Sequence, residues 1–301
     1  MSTHGACRRT RVVRRVVGRA LTFGAALCIS SIVDAQTPAN WTDSTTPFRV
    51  IGNVHYVGSA GLSAWLITTP KGHILLDVGM PQNGTMVERN IERLGFTLTD
   101  VKIILNSHAH FDHAGGIAQL KRRTGAKLFT MAGDRAALER GVYVGSEAEV
   151  AYRFPAVRVD SVLHDSSTVT LGGVTLTANL TAGHSAGCTT WTMPVQADGG
   201  RHTIAFFCSA SVAANRLTPR PQYPGIVDDY RRTFARLRAL DADVLLAPHA
   251  EIFDLPGKRA RLIVGKPNPF IDAGALRRLA VSLEAAFDTE LARQSGPTGL
   301  R

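Results

Sequence analysis

The 301-residue chain has only four cysteines, too few to staple a fold of this size, so a disulfide-built scaffold is excluded and an apolar core must carry stability. Charged residues are sparse at 19% and aromatics at 7%, but 45% of the chain is hydrophobic, which excludes a disordered or fibrous polymer. A spanning helix is missing too. The uncharged apolar run Ala20 to Val33 falls short of the ~20 residues a bilayer requires. Nor does any linker rich in proline, serine or charge divide the chain. Roughly 100 to 200 residues per domain would allow one large or two modest domains, and without a linker a single domain over 36–301 is expected.

What stands before the apolar run accounts for it. Arg8, Arg9, Arg11, Arg14, Arg15 and Arg19 form a basic start, and Val33-Asp34-Ala35 ends the run in the manner of a cleavage site. Residues 1–35 therefore read as an export signal cleaved near Ala35, with a periplasmic destination and no stable membrane anchor. A lipid-modified start at Cys28 is disfavoured, because Leu27 puts bulk where a small residue is needed. Loss of the signal removes six arginines and one aspartate, taking the net charge from +10 to +5. The remaining Lys and Arg are scattered, which speaks against a nucleic-acid partner. Cleavage also leaves Cys188 and Cys208 as the only thiols in an oxidising compartment, and they are expected to pair.

Phe48 to Val57 and Leu62 to Thr68 are β-branched runs divided by Gly58-Ser59-Ala60-Gly61, and His73 to Asp77 repeats the pattern, so a β-meander is expected. Val87, Ile91 and Leu94 mark a helix over 85–94, and Val101 to Leu105 reads as a buried strand ending at Asn106-Ser107-His108. A helix over 117–124 and a strand from Lys127 follow. Residues 132–154 read as a short helix, 135–140, then a loop able to overhang a site. Strands at 167–170, 174–180, 189–193 and 203–208 suggest a second meander. A helix beginning at Asp228-Asp229, a strand at 244–247 and the stripe Leu276, Leu279, Leu283, Phe287 complete the chain. Strands then helices, twice over, suggest two similar α/β halves: a sheet sandwich with helices outside.

The chemistry is concentrated in Ser107-His108-Ala109-His110-Phe111-Asp112-His113-Ala114-Gly115-Gly116, with three imidazoles and a carboxylate within six residues. Core packing does not account for such density, because buried imidazoles need partners. Nitrogen and oxygen donors without thiolate suit zinc. Asp112 and His113 must point differently from His108 and His110, so two ions are expected rather than one. Further ligands have to come from other strand ends. His184, flanked by Gly183 and Gly187, is the stronger candidate, and His249 after Pro248 is a candidate without such support. His4, His55, His73, His164 and His202 lack any comparable setting.

These residues resemble the metallo-β-lactamase superfamily, and within it the subclass B3 zinc β-lactamases, from about Trp41 to Phe287. The resemblance implies an αββα sandwich of two mixed β-sheets packed face to face, with two Zn2+ ions at one edge. It assigns His108, His110 and His184 to the first zinc and Asp112, His113 and His249 to the second. His113 stands where other subclasses use a cysteine. Gly61-Leu62-Ser63-Ala64-Trp65-Leu66 and His184-Ser185-Ala186-Gly187-Cys188-Thr189-Thr190-Trp191 are also similar to that subclass. Asp77 matches a residue that supports the metal loop from behind, and Ser209 and Ser211 match contacts to the substrate carboxylate. Ala250-Glu251 departs from the glycine that relatives often carry after the last histidine.

The implied activity is opening of a β-lactam ring by a hydroxide held between the zinc ions, with Asp112 orienting it. The partner is a small-molecule β-lactam, and the chain is expected to act as a monomer. The superfamily also holds lactonases and other ester or thioester hydrolases, which is the alternative. In the thioester hydrolases and nucleases a second aspartate bridges the metals. Here the corresponding strand, Ala205-Phe206-Phe207-Cys208-Ser209-Ala210-Ser211, carries no carboxylate, which favours the β-lactamase reading. A purely structural metal module is disfavoured, because structural zinc sites are closed and four-coordinate.

Overall fold

The computed structural model describes residues 37–296, and the expected signal, 1–35, lies outside the described residues. Seven strands form the first sheet in spatial order: β1 (Phe48–Ile51), β2 (Val54–Tyr56), β3 (Trp65–Thr69), β4 (Gly72–Leu76), β5 (Val101–Leu105), β6 (Lys127–Met131) and β7 (Ser161–Leu163). The first four are antiparallel neighbours, the expected meander, and β4 to β7 run parallel. The second sheet orders β8 (Thr168–Leu171), β9 (Val174–Leu180), β10 (Thr189–Ala197), β11 (Gly200–Phe206) and β12 (Val244–Leu246), antiparallel except for the β11–β12 pair. Both sheets are mixed.

Strand periodicity shows how the layers stack. Trp65 and Ile67, Ile74 and Leu76, Ile103 and Leu105 share one core with Leu176, Trp191, Met193, Ile204 and Phe206 of the second sheet. Trp65 meets Phe206 edge-on at 6.0 Å between ring centres. The alternate residues Leu66, Leu75 and Ile104 face a second core with Val87 and Ile91 of α1 (Gly84–Arg93), Ile117 and Leu120 of α3 (Ile117–Thr124), and Leu138 of α4 (Arg135–Arg140). α2 (Phe111–Ala114) is a single turn between them. On the other side Tyr230 and Phe234 of α5 (Ile226–Ala239) pack at a tilt against Phe287 of α7 (Ala275–Ser295), whose Leu276 is also buried. The expected αββα sandwich is the observed fold.

Three details differ from expectation. Phe48 to Val57 is not one strand but a hairpin, turning at Gly52-Asn53 with Gly52 at φ +51°, so Ile51 pairs with Val54. β11 starts at Gly200 and stops at Phe206, because Asp198-Gly199 forms the two-residue turn and Ala197 pairs with Gly200. β7 and α6 (Leu255–Arg261) are additional elements, the latter capped by the Asp254 carboxylate accepting from the Gly257 N–H.

Candidate metal centre

β5, buried but for Lys102, delivers its C-terminal loop to the edge where the two sheets meet. Asp77, in a left-handed conformation at φ +59°, sits behind that loop. Its Oδ1 accepts from the Ser107 N–H at 2.8 Å and from Asn106 Nδ2 at 3.2 Å, and Asn106 Nδ2 also donates to the His108 carbonyl at 2.8 Å. The second sheet grips the loop from the far side, with the Thr189 N–H on the Ser107 carbonyl at 2.8 Å and Trp191 Nε1 on the Asn106 carbonyl at 3.2 Å. The α2 turn then swings Asp112 and His113 away from His108 and His110.

His184 arrives from β9. Gly183 is at φ +137°, and a Cβ there would come within 2.7 Å of the Tyr230 ring, so close approach of the backbone does require glycine. His249 arrives from β12 and is pinned to the Gly61-Leu62-Ser63 turn, where the Ser63 N–H donates to the Pro248 carbonyl at 2.8 Å and the Ala250 N–H to the Gly61 carbonyl at 2.9 Å.

All six expected ligands converge, in two groups of three. The rings of His108, His110 and His184 stand 4.6 Å apart in each of the three pairs. His108 Nε2 is buried with no hydrogen-bond partner, while its Nδ1 lies 3.0 Å from Ser107 Oγ. His184 Nδ1 lies 2.8 Å from the Ser211 carbonyl, which places the proton on Nδ1 and leaves Nε2 free as a donor atom. In the second group Asp112 Oδ2 is 3.3 Å from His113 Nε2 and 3.5 Å from His249 Nε2, and those nitrogens are 3.1 Å apart. Donors about 2.1 Å from one tetrahedral ion lie about 3.4 Å from each other. The spacing therefore fits a zinc-sized cation, and the two groups adjoin, with His108 and His113 ring centres at 4.4 Å.

The electrostatics of the cluster separate His113 from the other four imidazoles. Burial, then mutual repulsion, pushes His108 and His110 well below the usual imidazole range, and burial lowers His184 to about 4 and His249 to about 3. These four are held neutral, the form that binds metal. Burial alone would raise Asp112 and lower His113, but their mutual attraction reverses both shifts, leaving Asp112 ionised.

Ser211 is exposed, with Oγ 3.4 Å from both His184 Nδ1 and the hydroxyl of buried Ser209. Cys188 and Cys208 are joined by a disulfide, Cα to Cα 5.8 Å, beside the first group. Both sulfurs lie near His108, but being bonded to each other they are not metal ligands. His55 and His73 flank Phe96 instead of joining the site. Sequence reasoning missed an aromatic rim. Tyr143 stacks on His110 at 4.2 Å, Trp41 lies 5.2 Å from His249, and Tyr152 stacks on Phe111 at 5.8 Å. Tyr143 and Tyr152 come from the loop expected to overhang the site. Glu251 places Oε1 3.7 Å from His249 Nδ1.

Residues 61–249, more than half of the chain, match the family described as the metallo-beta-lactamase superfamily. The chain belongs to the metallo-beta-lactamase superfamily. Among solved members, the subclass B3 metallo-beta-lactamase BJP-1 of Bradyrhizobium japonicum is 47% identical, with a TM-score of 0.84 over 85% of this chain and 97% of that one. The FEZ-1 metallo-beta-lactamase of Legionella gormanii is 38% identical, with a TM-score of 0.82 over 85% of this chain and 99% of that one. Two superfamily members of other named activities match over part of their length. A hydroxyacylglutathione hydrolase of Bradyrhizobium sp. is 41% identical over 64 residues, 21% of this chain and 24% of its own length. An N-acyl homoserine lactonase of Bacillus thuringiensis is 37% identical over 75 residues, 17% of this chain and 30% of its own length.

Proposed function

We propose that this superfamily hydrolase opens the ring of β-lactam antibiotics with two zinc ions, acting outside the cytoplasm after loss of residues 1–35. His108, His110 and His184 would hold the first ion, and Asp112, His113 and His249 the second. Two ions so held would supply positive charge and lower the pKa of a nearby water toward 7.

The chain's own groups do the rest. Asp112 Oδ2 faces His113 and His249, and the ionised carboxylate would accept a hydrogen bond from the nucleophile and orient it. The exposed Ser211 hydroxyl, with Ser209 beneath it, donates to the substrate carboxylate. Trp41 and Tyr152 provide apolar surface at the mouth for the acyl substituent. Asp77 holds the loop entry so that His108 does not shift as charge moves.

The observation that carries the β-lactam reading is at the end of β11. Cys208 is tied to Cys188 there, and among the described residues no carboxylate besides Asp112 joins either ligand group. Near-complete coverage of BJP-1 and FEZ-1 supports it, against partial matches to the lactonase and the glutathione thioester hydrolase. Purified zinc-loaded protein offered nitrocefin, an acyl homoserine lactone and an acylglutathione thioester should open the first and leave the others largely intact. Turnover confined to the lactone or the thioester would overturn the reading.

A further inference from the structure

Asp134 occupies the N-cap position of α4, where a short carboxylate ordinarily accepts from the free N–H groups of the helix's own first turn. It makes no such bond. Its Oδ2 accepts instead from the Ala109 N–H at 2.9 Å and the Ser185 hydroxyl at 2.8 Å, and its Oδ1 from the Gly187 N–H at 2.9 Å. Ala109 lies between His108 and His110, and Ser185 directly follows His184. One carboxylate, only 2% exposed, thus ties together the two loops that carry the first group of imidazoles.

The surrounding backbone is shaped to permit this. A Cβ on Gly133 would fall 2.3 Å from the Ala186 carbonyl, and one on Gly187 2.4 Å from the Asp134 nitrogen, so the segments meet backbone to backbone. No cation pairs with Asp134 among the described residues, and despite three donors burial still lifts its carboxyl to about 6. Burying a carboxylate without a counter-charge is costly. Helix capping does not account for that cost here, whereas the two ligand loops take up all three of its hydrogen bonds.

We propose that Asp134 is a positioning residue of the first metal site, clamping Ala109 to Ser185 and Gly187 so that His110 and His184 keep converging ring nitrogens. It complements Asp77, which fixes the entry to the same loop from the opposite side. The inference rests on the zinc reading of the two ligand groups, but its test reads metal affinity and not β-lactam turnover.

The experiment is stepwise zinc titration against a chromophoric chelator, with absorption spectra of the cobalt-substituted protein, on wild type, Asp134→Asn and Ser185→Ala. Asp134→Asn keeps the shape but turns an amide N–H2 toward one of the three donors. First-site affinity should fall about 10- to 100-fold in D134N. S185A, which loses one bond of the three, should show a smaller fall at the same site. The second site should keep its affinity in both, and the cobalt spectrum should change only in its first-site component. S185A carries the test alone if D134N does not fold. Wild-type affinity at both sites in a folded variant, or equal loss at both, would show the carboxylate to be scaffold only and overturn the proposal. A wild-type protein binding no zinc would overturn the zinc reading and this inference together, whereas two bound zincs with unchanged variants would overturn this inference alone.

Discussion

Asp112 is the only carboxylate among the six converging side chains, so its charge matters disproportionately. With two dications and one hydroxide bound among neutral imidazoles, the site carries a formal charge of +2 with Asp112 ionised and +3 without it. Asp112→Ala should release the zinc of the second group on dialysis, retain that of His108, His110 and His184, and lower turnover by orders of magnitude, with circular dichroism unchanged. Two retained equivalents would contradict the assignment. A second residue-scale outcome concerns His55, buried against Phe96. Burial, with smaller contributions from Arg49 and His73, lowers its pKa below 6.5. Between the folded pKa and 6.5 the unfolded chain binds more protons, so stability is full above about 6.5 and declines as pH falls below it. Denaturant unfolding of zinc-loaded protein from pH 7.5 to 5 should show that decline, and His55→Leu should make it shallower. An equal slope in the variant would remove His55 from the account.

At the scale of elements, the disulfide joins the entry of β10 to the exit of β11, the strand ends that brace the metal loop. Closing a loop of 20 residues stabilises by about 3 kcal/mol on the chain-entropy model. Cys188→Ser with Cys208→Ser should lose about that amount in denaturant unfolding. Unreduced, denatured protein beginning after the signal should show no free thiol. The second core makes a separate demand, and Leu66→Ala, at a fully buried position under α1, should cost about 2–5 kcal/mol with zinc binding retained. A change under 1 kcal/mol would mean that the outer layer is less tightly packed than described.

What the sequence made legible follows from the same elements. β5, β9 and β12 lead into the candidate ligands, so both strands and histidines stood out, and the unbroken apolar runs of β3 and β4 marked them as strands. Gly52-Asn53, a two-residue turn pair between Val50-Ile51 and Val54, was the signal for the hairpin that could have been read. β7 is three residues long, too short for a period to show. Asp254 and Pro256 were the signals for α6 that could have been read. Asp134 looks in sequence like any helix cap, and only the fold, by bringing Ala109, Ser185 and Gly187 around it, shows where its oxygens go.

For the whole molecule, two sheets back to back leave one edge where β5, β9 and β12 all terminate. That edge gathers the candidate ligands from three separate stretches of chain, so metal binding should also report on the assembled fold. Among the described residues no helix is long and apolar enough to cross a membrane. The central claim is that two zinc ions on this edge open β-lactam rings. The most direct measurement is carbapenem hydrolysis by metal-free protein during titration with zinc. The account predicts no activity without metal, turnover that rises until two equivalents are bound, loss on adding a chelator, and indifference to inhibitors that acylate an active-site serine. Protein carrying two zinc equivalents that leaves the carbapenem and every other β-lactam intact would contradict it.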